Sequence, residues 1–171
     1  MTTGENLTGS LLAAHPMLWD PNFRRTIVFI SQHCPEEGTT GFVLNRPVEN
    51  PSPVKTDIPV FFGGPVEPDQ MIVASIQWRD NPDTVAFRTF TGMPTPEDKG
   101  WSGGMRIFTG YSGWSPGQLE RELQTDSWVV LPPSRALIEM ADPHLAWKRI
   151  MRETNPALHL LSEAPDDPRL N

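Results

Sequence analysis

The sequence predicts an α+β protein with a mainly antiparallel, curved β-sheet and two to three flanking helices. Short runs rich in β-branched and aromatic residues follow one another along most of the chain, which favours antiparallel neighbours over helical crossovers. Nineteen prolines and thirteen glycines in 171 residues demand many turns and short elements, not a helical bundle. Ser115-Pro116 and Asp142-Pro143 each pair an N-capping residue with proline at the first helical position, and so supply the helix starts.

Leu11–Ala14, within GSLLAAHP, reads as a short buried strand. Asp20 before Pro21 caps a single helical turn, because a carboxylate there accepts from the unpaired amides. Thr26–Ser31 (TIVFIS) has the composition of a central strand. Cys34–Gly41 is turn chemistry and Phe42–Asn45 is the next strand, so the two strands form a hairpin that Pro47 ends. Val48–Ile58 contains Pro51 and Pro53 and few apolar residues, and reads as loop. Val60–Phe62 is a strand stopped by Gly63-Gly64-Pro65, and Met71–Trp78 and Val85–Phe90 are further strands. Thr91–Gly104 is a polar surface loop. Met105–Gly110 and Ser127–Leu131 are strands, and Pro143–Glu153 fits a helix with Leu145, Trp147, Ile150 and Met151 on its buried side. These short strands and helices form one domain spanning 1–171, with 1–8 and about 160–171 as flexible tails.

The formal net charge is −7, with only three lysines and scattered arginines, which argues against a sequence-independent grip on nucleic acid. Cys34 is the single cysteine, so no intramolecular disulfide forms and a reducing compartment is the natural reading. No apolar run approaches the ~20 residues of a membrane span. The N-terminus lacks a charged and then apolar leader. A cytoplasmic protein without a membrane anchor follows. The four histidines show no metal-ligand spacing with Cys34, so no metal is expected, and no cofactor motif is present.

RIFTGYSGWSPGQLERELQ, Arg106–Gln124, is the most patterned stretch. Ser115 stands as N-cap with Gln118 three residues on, which is a capping box, and Glu120 suits the positive end of the helix dipole. Before it, Gly-Tyr-Ser-Gly-Trp reads as a strand-to-helix turn. A nucleophile elbow requires Gly-x-Ser-x-Gly, and the match fails by one residue. A phosphate loop requires a lysine that is missing. An anion site at the helix start and a plain, well-capped turn both stay open, the plain turn favoured.

GSLLAAHPMLWDPNFRRTIVFISQH, GFVLNRP, FFGGPV and RIFTGYSGWSPGQLERELQTDSWVVLP, taken in that order, resemble the YqgE/AlgH family of bacterial proteins. The resemblance implies a strongly coiled, bifurcated sheet with flanking helices. It implies no defined enzymatic activity, and a role in transcriptional regulation for some members. The family's signature polar positions correspond to Asp20, Arg25, His33, Asn45, Arg46, Tyr111, Trp114, Gln118 and Glu120. Its signature glycines correspond to Gly41, Gly63, Gly64, Gly110, Gly113 and Gly117. Alanine often replaces Ser112 among relatives, which weakens a nucleophile there, and histidine often stands where this chain has Ala74.

Ligand-binding candidates are therefore Asp20, Arg25, Asn45, Arg46, Gly63, Gly64, Tyr111, Gly113, Trp114 and Gln118, gathered where strand ends and loops converge. Arg46, a planar fork before Pro47, is the foremost of them. Arg25 either pairs with Asp20, bonds loop carbonyls or holds an anion, the structural roles favoured. His33 and Cys34 are adjacent on a strand and point to opposite faces, which disfavours a nucleophile pair and leaves His33 as a surface or capping residue. The leading expectation is a binding protein for an anionic small molecule or an unidentified protein partner, with any transcriptional role exerted through that partner. A hydrolase acting on an anionic substrate is the alternative. No catalytic residue is assigned.

Overall fold

The computed structural model describes residues 5–49, 57–80, 82–98 and 100–164. Among them the strands are β1 (Leu11–Ala14), β2 (Ile27–Cys34), β3 (Gly38–Val43), β4 (Val60–Phe62), β5 (Val66–Arg79), β6 (Thr84–Phe90), β7 (Met105–Trp114) and β8 (Trp128–Leu131). The helices are α1 (Gln118–Gln124), α2 (Arg135–Ile138), α3 (Pro143–Thr154) and α4 (Pro156–Ser162). The class is α+β, as expected. The open sheet has the order β6-β5-β7-β3-β2-β1-β8, with β4 attached to β7 off that path.

That attachment makes a fork. One edge of β7 pairs with β5. The other edge holds β4 in parallel along Ile107–Thr109, then β3 antiparallel along Ser112–Trp114. Gly63 ties the branches together: its carbonyl accepts from Val43 and its amide donates to Thr109, each at 2.9 Å. The backbones are too close there for side chains. A Cβ on Gly63 would lie 2.3 Å from the carbonyl oxygen of Gly110, and one on Gly64 would lie 2.2 Å from that of Tyr111. The paired glycines of FFGGPV thus permit the fork.

Both faces of the sheet are covered. On one face Leu11, Phe29, Phe42, Phe61 and Phe108 pack with Ile138 of α2, Trp147 and Met151 of α3 and Leu158 of α4. On the other, Leu12, Val28, Ile30, Trp114 and Trp128 pack with Leu119 of α1. Alternate side chains of β1 feed the two cores, so all four of its residues are buried.

Several expected boundaries move. The β2–β3 turn is confined to Pro35–Glu37, because Gly38 takes a φ of 106° and Thr39 and Thr40 join the ladder opposite His33 and Gln32. β7 does not stop at Gly110. It runs through GYSGW to Trp114, since Tyr111 pairs with Val66 and Gly113 with Thr40. The expected strand-to-helix turn shrinks to Ser115–Gly117. Ser115 is not the N-cap of α1, because Gly117, at a φ of 79°, takes that place without a side-chain cap. Half of the capping box survives: Gln118 Oε1 accepts from the Ser115 amide at 3.0 Å. Leu145 is 61% exposed, although Trp147, Ile150 and Met151 are buried as expected. Leu7 is 2% exposed and α4 reaches Ser162, so these parts of the expected tails are packed. Most of the Val48–Ile58 loop, residues 50–56, lies outside the described residues, as do 1–4 and 165–171.

Candidate functional site

The predicted site residues form two groups. In the first, the carboxylate of Asp20 accepts from the Asn22 amide at 2.8 Å and shapes the Pro21–Arg25 turn. Asn45 binds the end of that turn: its Nδ2 donates to the Arg25 carbonyl at 2.9 Å and its Oδ1 accepts from the Ile27 amide at 2.8 Å. Arg46 reaches the same turn from below. Its Nη1 donates to the carbonyls of Asn22 at 2.6 Å and Pro21 at 3.3 Å, and its Nη2 donates to that of Arg24 at 2.8 Å. Burial and then the neighbouring Arg24 charge pull the Arg46 pKa down, with Asp20 opposing them. Arg46, Asn22, Asn45, Phe62 and His144 line a cleft of about 450 Å³. Arg25 turns toward the C-terminal helices, with Nη2 2.7 Å from the Ala164 carbonyl and its guanidinium 5.2 Å from the Trp147 ring centre.

The second group surrounds the end of β7. Tyr111, Gly113 and Trp114 line a separate cleft with Gln32, Thr40 and Val66. Gln118 Nε2 donates to Glu122 Oε1 at 3.0 Å. Ser112 is fully buried and its hydroxyl donates to the Gly63 carbonyl at 3.0 Å. His33 is buried, not superficial, with both ring nitrogens engaged. Nδ1 accepts from the Leu7 amide at 3.0 Å, which leaves the proton on Nε2 to be donated to Glu120 Oε1 at 2.7 Å. Cys34 is partly exposed and its thiol faces Glu36 Oε2 at 3.8 Å. Gly63 and Gly64 lie at the fork between the groups, and the two clefts share no lining residue.

Two features escaped the sequence reading. The first is an apolar groove of about 580 Å³ between β8, α2 and α3, lined by Leu131, Leu137, Met140, Leu145 and Ile150, among others. Its signal was an apolar surplus on α3, where Leu145 sits outside the buried stripe. The second is Arg106, a charged residue in the apolar run MRIF and 9% exposed. No group of His, Cys, Asp and Glu capable of holding a metal occurs among the described residues. None of the described helices is long and apolar enough to cross a membrane.

The class is thus an α+β domain on an open, forked antiparallel sheet. The chain belongs to the AlgH-like family, whose model (DUF179) matches residues 11–159. Among its relatives, a UPF0301 protein of Thermobifida fusca is 34% identical over 97% of this chain and 96% of its own length. A UPF0301 protein of Mycobacterium leprae is 36% identical over 93% and 88%. The crystal structure of DIP2367 from Corynebacterium diphtheriae shares the fold with a TM-score of 0.73, at 24% identity over 96% of this chain and 95% of that one. The solution structure of AlgH from Pseudomonas aeruginosa gives a TM-score of 0.64 at 24% identity, over 96% and 98%.

Proposed function

We propose that this chain is a cytoplasmic binding protein that acts through a protein partner seated in the groove between β8, α2 and α3. One observation carries the reading: Leu145, a large apolar residue of that groove, is 61% exposed while its helix neighbour Trp147 is 2% exposed. The occupant is an amphipathic helix with leucine-like anchors and basic flanks. Charge supports the basic flank, because the chain carries −7 overall and the groove rim presents Asp142 beside the paired Arg149 and Glu153. The rim cation Arg149 is offset by Glu153 at 3.1 Å. Any effect on transcription runs through this partner, since the acidic balance opposes direct binding to DNA.

The probe is a short helical Leu/Lys peptide, compared with a Leu/Glu peptide of the same pattern by fluorescence anisotropy. The Leu/Lys peptide binds the wild type, and Leu145→Asp abolishes that binding. Equal binding of both peptides, or binding unchanged in Leu145→Asp, overturns the reading. Salt-sensitive binding to duplex DNA would replace it with a direct nucleic-acid role.

A second reading is a small anionic ligand in the Arg46 cleft, supported by the Arg46 guanidinium and the imidazole of His144 on its walls. Asp20 and the backbone carbonyl of Arg25 then shape the turn beside the cleft, while Gly63, Gly64, Tyr111, Gly113, Trp114 and Gln118 form the neighbouring framework. A thermal-shift panel of phosphorylated metabolites and carboxylates checks it, with a shift lost in Arg46→Ala as the expected outcome. A hydrolase reading gains no nucleophile from Ser112, whose hydroxyl is buried and bonded.

A further inference from the structure

Arg106 lies on β7 opposite Ala74 of β5, within the core covered by the helices. Its Nη2 donates to the Ile138 carbonyl at 2.6 Å, and its guanidinium lies 5.3 Å from the Phe61 ring centre. Its Nη1 is buried and has no hydrogen-bond partner among the described residues. Among the described residues no carboxylate pairs with it. Glu139, on the same wall, faces Arg135 at 3.6 Å instead. Burial pulls the Arg106 pKa down to about 10, so the side chain is still a cation at neutral pH. A buried cation with an idle donor and no counter-charge is costly, and such a group calls for an explanation outside the fold.

The surroundings define the missing partner. Arg106 lines a cleft of about 430 Å³ whose walls include Phe61, Ile76, Trp78, Ile138 and Met140. The polar groups beside it are already spent: Gln77 Nε2 donates to the Gly103 carbonyl at 2.8 Å, and Ser75 Oγ donates to the same oxygen at 2.6 Å. The cleft therefore offers one cation with an unused donor and an aliphatic and aromatic lining, with Glu139 the one carboxylate among its lining residues and turned to Arg135. We infer that Arg106 anchors a binding site for a small monocarboxylate with an apolar body. A single planar charge suits one guanidinium edge, whereas a phosphate dianion requires more donors than the cleft supplies. Nη1 is buried, so a lining side chain yields as the carboxylate enters. This site is separate from the Arg46 cleft and shares only Met140 of its lining with the partner groove.

The test titrates the full chain with phenylpropionate, its neutral amide phenylpropionamide, and inorganic phosphate, read by calorimetry. The acid binds, the amide binds about tenfold more weakly or worse, and phosphate does not bind. Arg106→Gln removes the preference for the acid, and Arg106→Lys retains part of it. Should Arg106→Gln fail to fold, the guanidinium NMR resonance of Arg106 in the wild type shifts with the acid and not with the amide. Equal binding of acid and amide, acid binding with an unmoved Arg106 resonance, or phosphate binding in place of the acid overturns the proposal. So does the absence of binding by phenylpropionate, benzoate and hexanoate alike.

Discussion

Trp114 and Trp128 donate their indole N–H groups to the same oxygen of Glu122, at 2.9 and 2.8 Å. The two rings meet edge to face with centroids 6.0 Å apart, and Phe23 packs against both. The other oxygen of Glu122 accepts from Gln118. One carboxylate of α1 therefore joins the end of β7 to the start of β8. Glu122→Ala should cost about 1.5–3 kcal/mol, because two buried indole donors lose a charged acceptor together. Urea unfolding followed by tryptophan fluorescence measures this. A change under about 0.5 kcal/mol would mean that the indoles do not rely on that carboxylate.

The fork predicts unequal responses among the glycines. Gly63→Ala should destabilise by about 2–4 kcal/mol, since its Cβ would collide with the Gly110 carbonyl and no flexible side chain can yield. Gly113→Ala should stay within about 0.5 kcal/mol, because the nearest atoms lie 3.7 Å away. Comparable losses at both positions would remove the close-approach explanation.

The His33–Glu120 pair predicts acid sensitivity. Burial on its own raises the Glu120 pKa, but the His33 hydrogen bond, the residue's own backbone amide and the nearby Arg121 charge outweigh it and hold the carboxyl below its ordinary 4.5. A lowered folded-state value adds stability that is present above pH 4.5 and fades as pH falls through that lower value. Glu120→Gln keeps an acceptor for His33 but cannot titrate. Its stability relative to wild type should improve as pH falls below 4.5. A difference that stays flat across that range would show that the pair is not coupled to folding.

Neighbours on α3 should separate packing from binding. Trp147→Ala removes a buried ring whose Nε1 donates to the Ala14 carbonyl at 2.8 Å, and should cost about 3–5 kcal/mol. Leu145→Asp should change stability by under about 0.5 kcal/mol and act only on partner binding. Thermal melts of the two variants decide this, and a strong loss in Leu145→Asp would show that the groove is part of the core.

Much of the fold was legible because local chemistry and tertiary packing agree. TIVFIS and SLLAA are strands in composition and in fact. Asp142-Pro143 starts α3, with the Asp142 carboxylate accepting from the His144 amide. The reading failed where tertiary pairing overrode local signals. Glycines usually mark turns, yet in GYSGW they mark a strand pressed by two neighbours. Thr39 and Thr40 looked like turn residues beside Gly38 and Gly41, yet β7 pairs with them.

Read alone, the sequence determines the α+β class, the order of most elements and the residues that form the sheet core, because propensity and apolar pattern act locally. It also marks Asp20 as a capping residue and Arg46 as a planar fork, and the family resemblance adds Asn45. Only the tertiary structure decides that Arg46 bonds three carbonyls of one turn, that FFGGPV exists for a fork, and that Arg106 lies buried with an idle donor. Those facts depend on which distant backbones meet, and a carbonyl offered by a neighbouring strand or helix leaves no mark on the side chain that finds it.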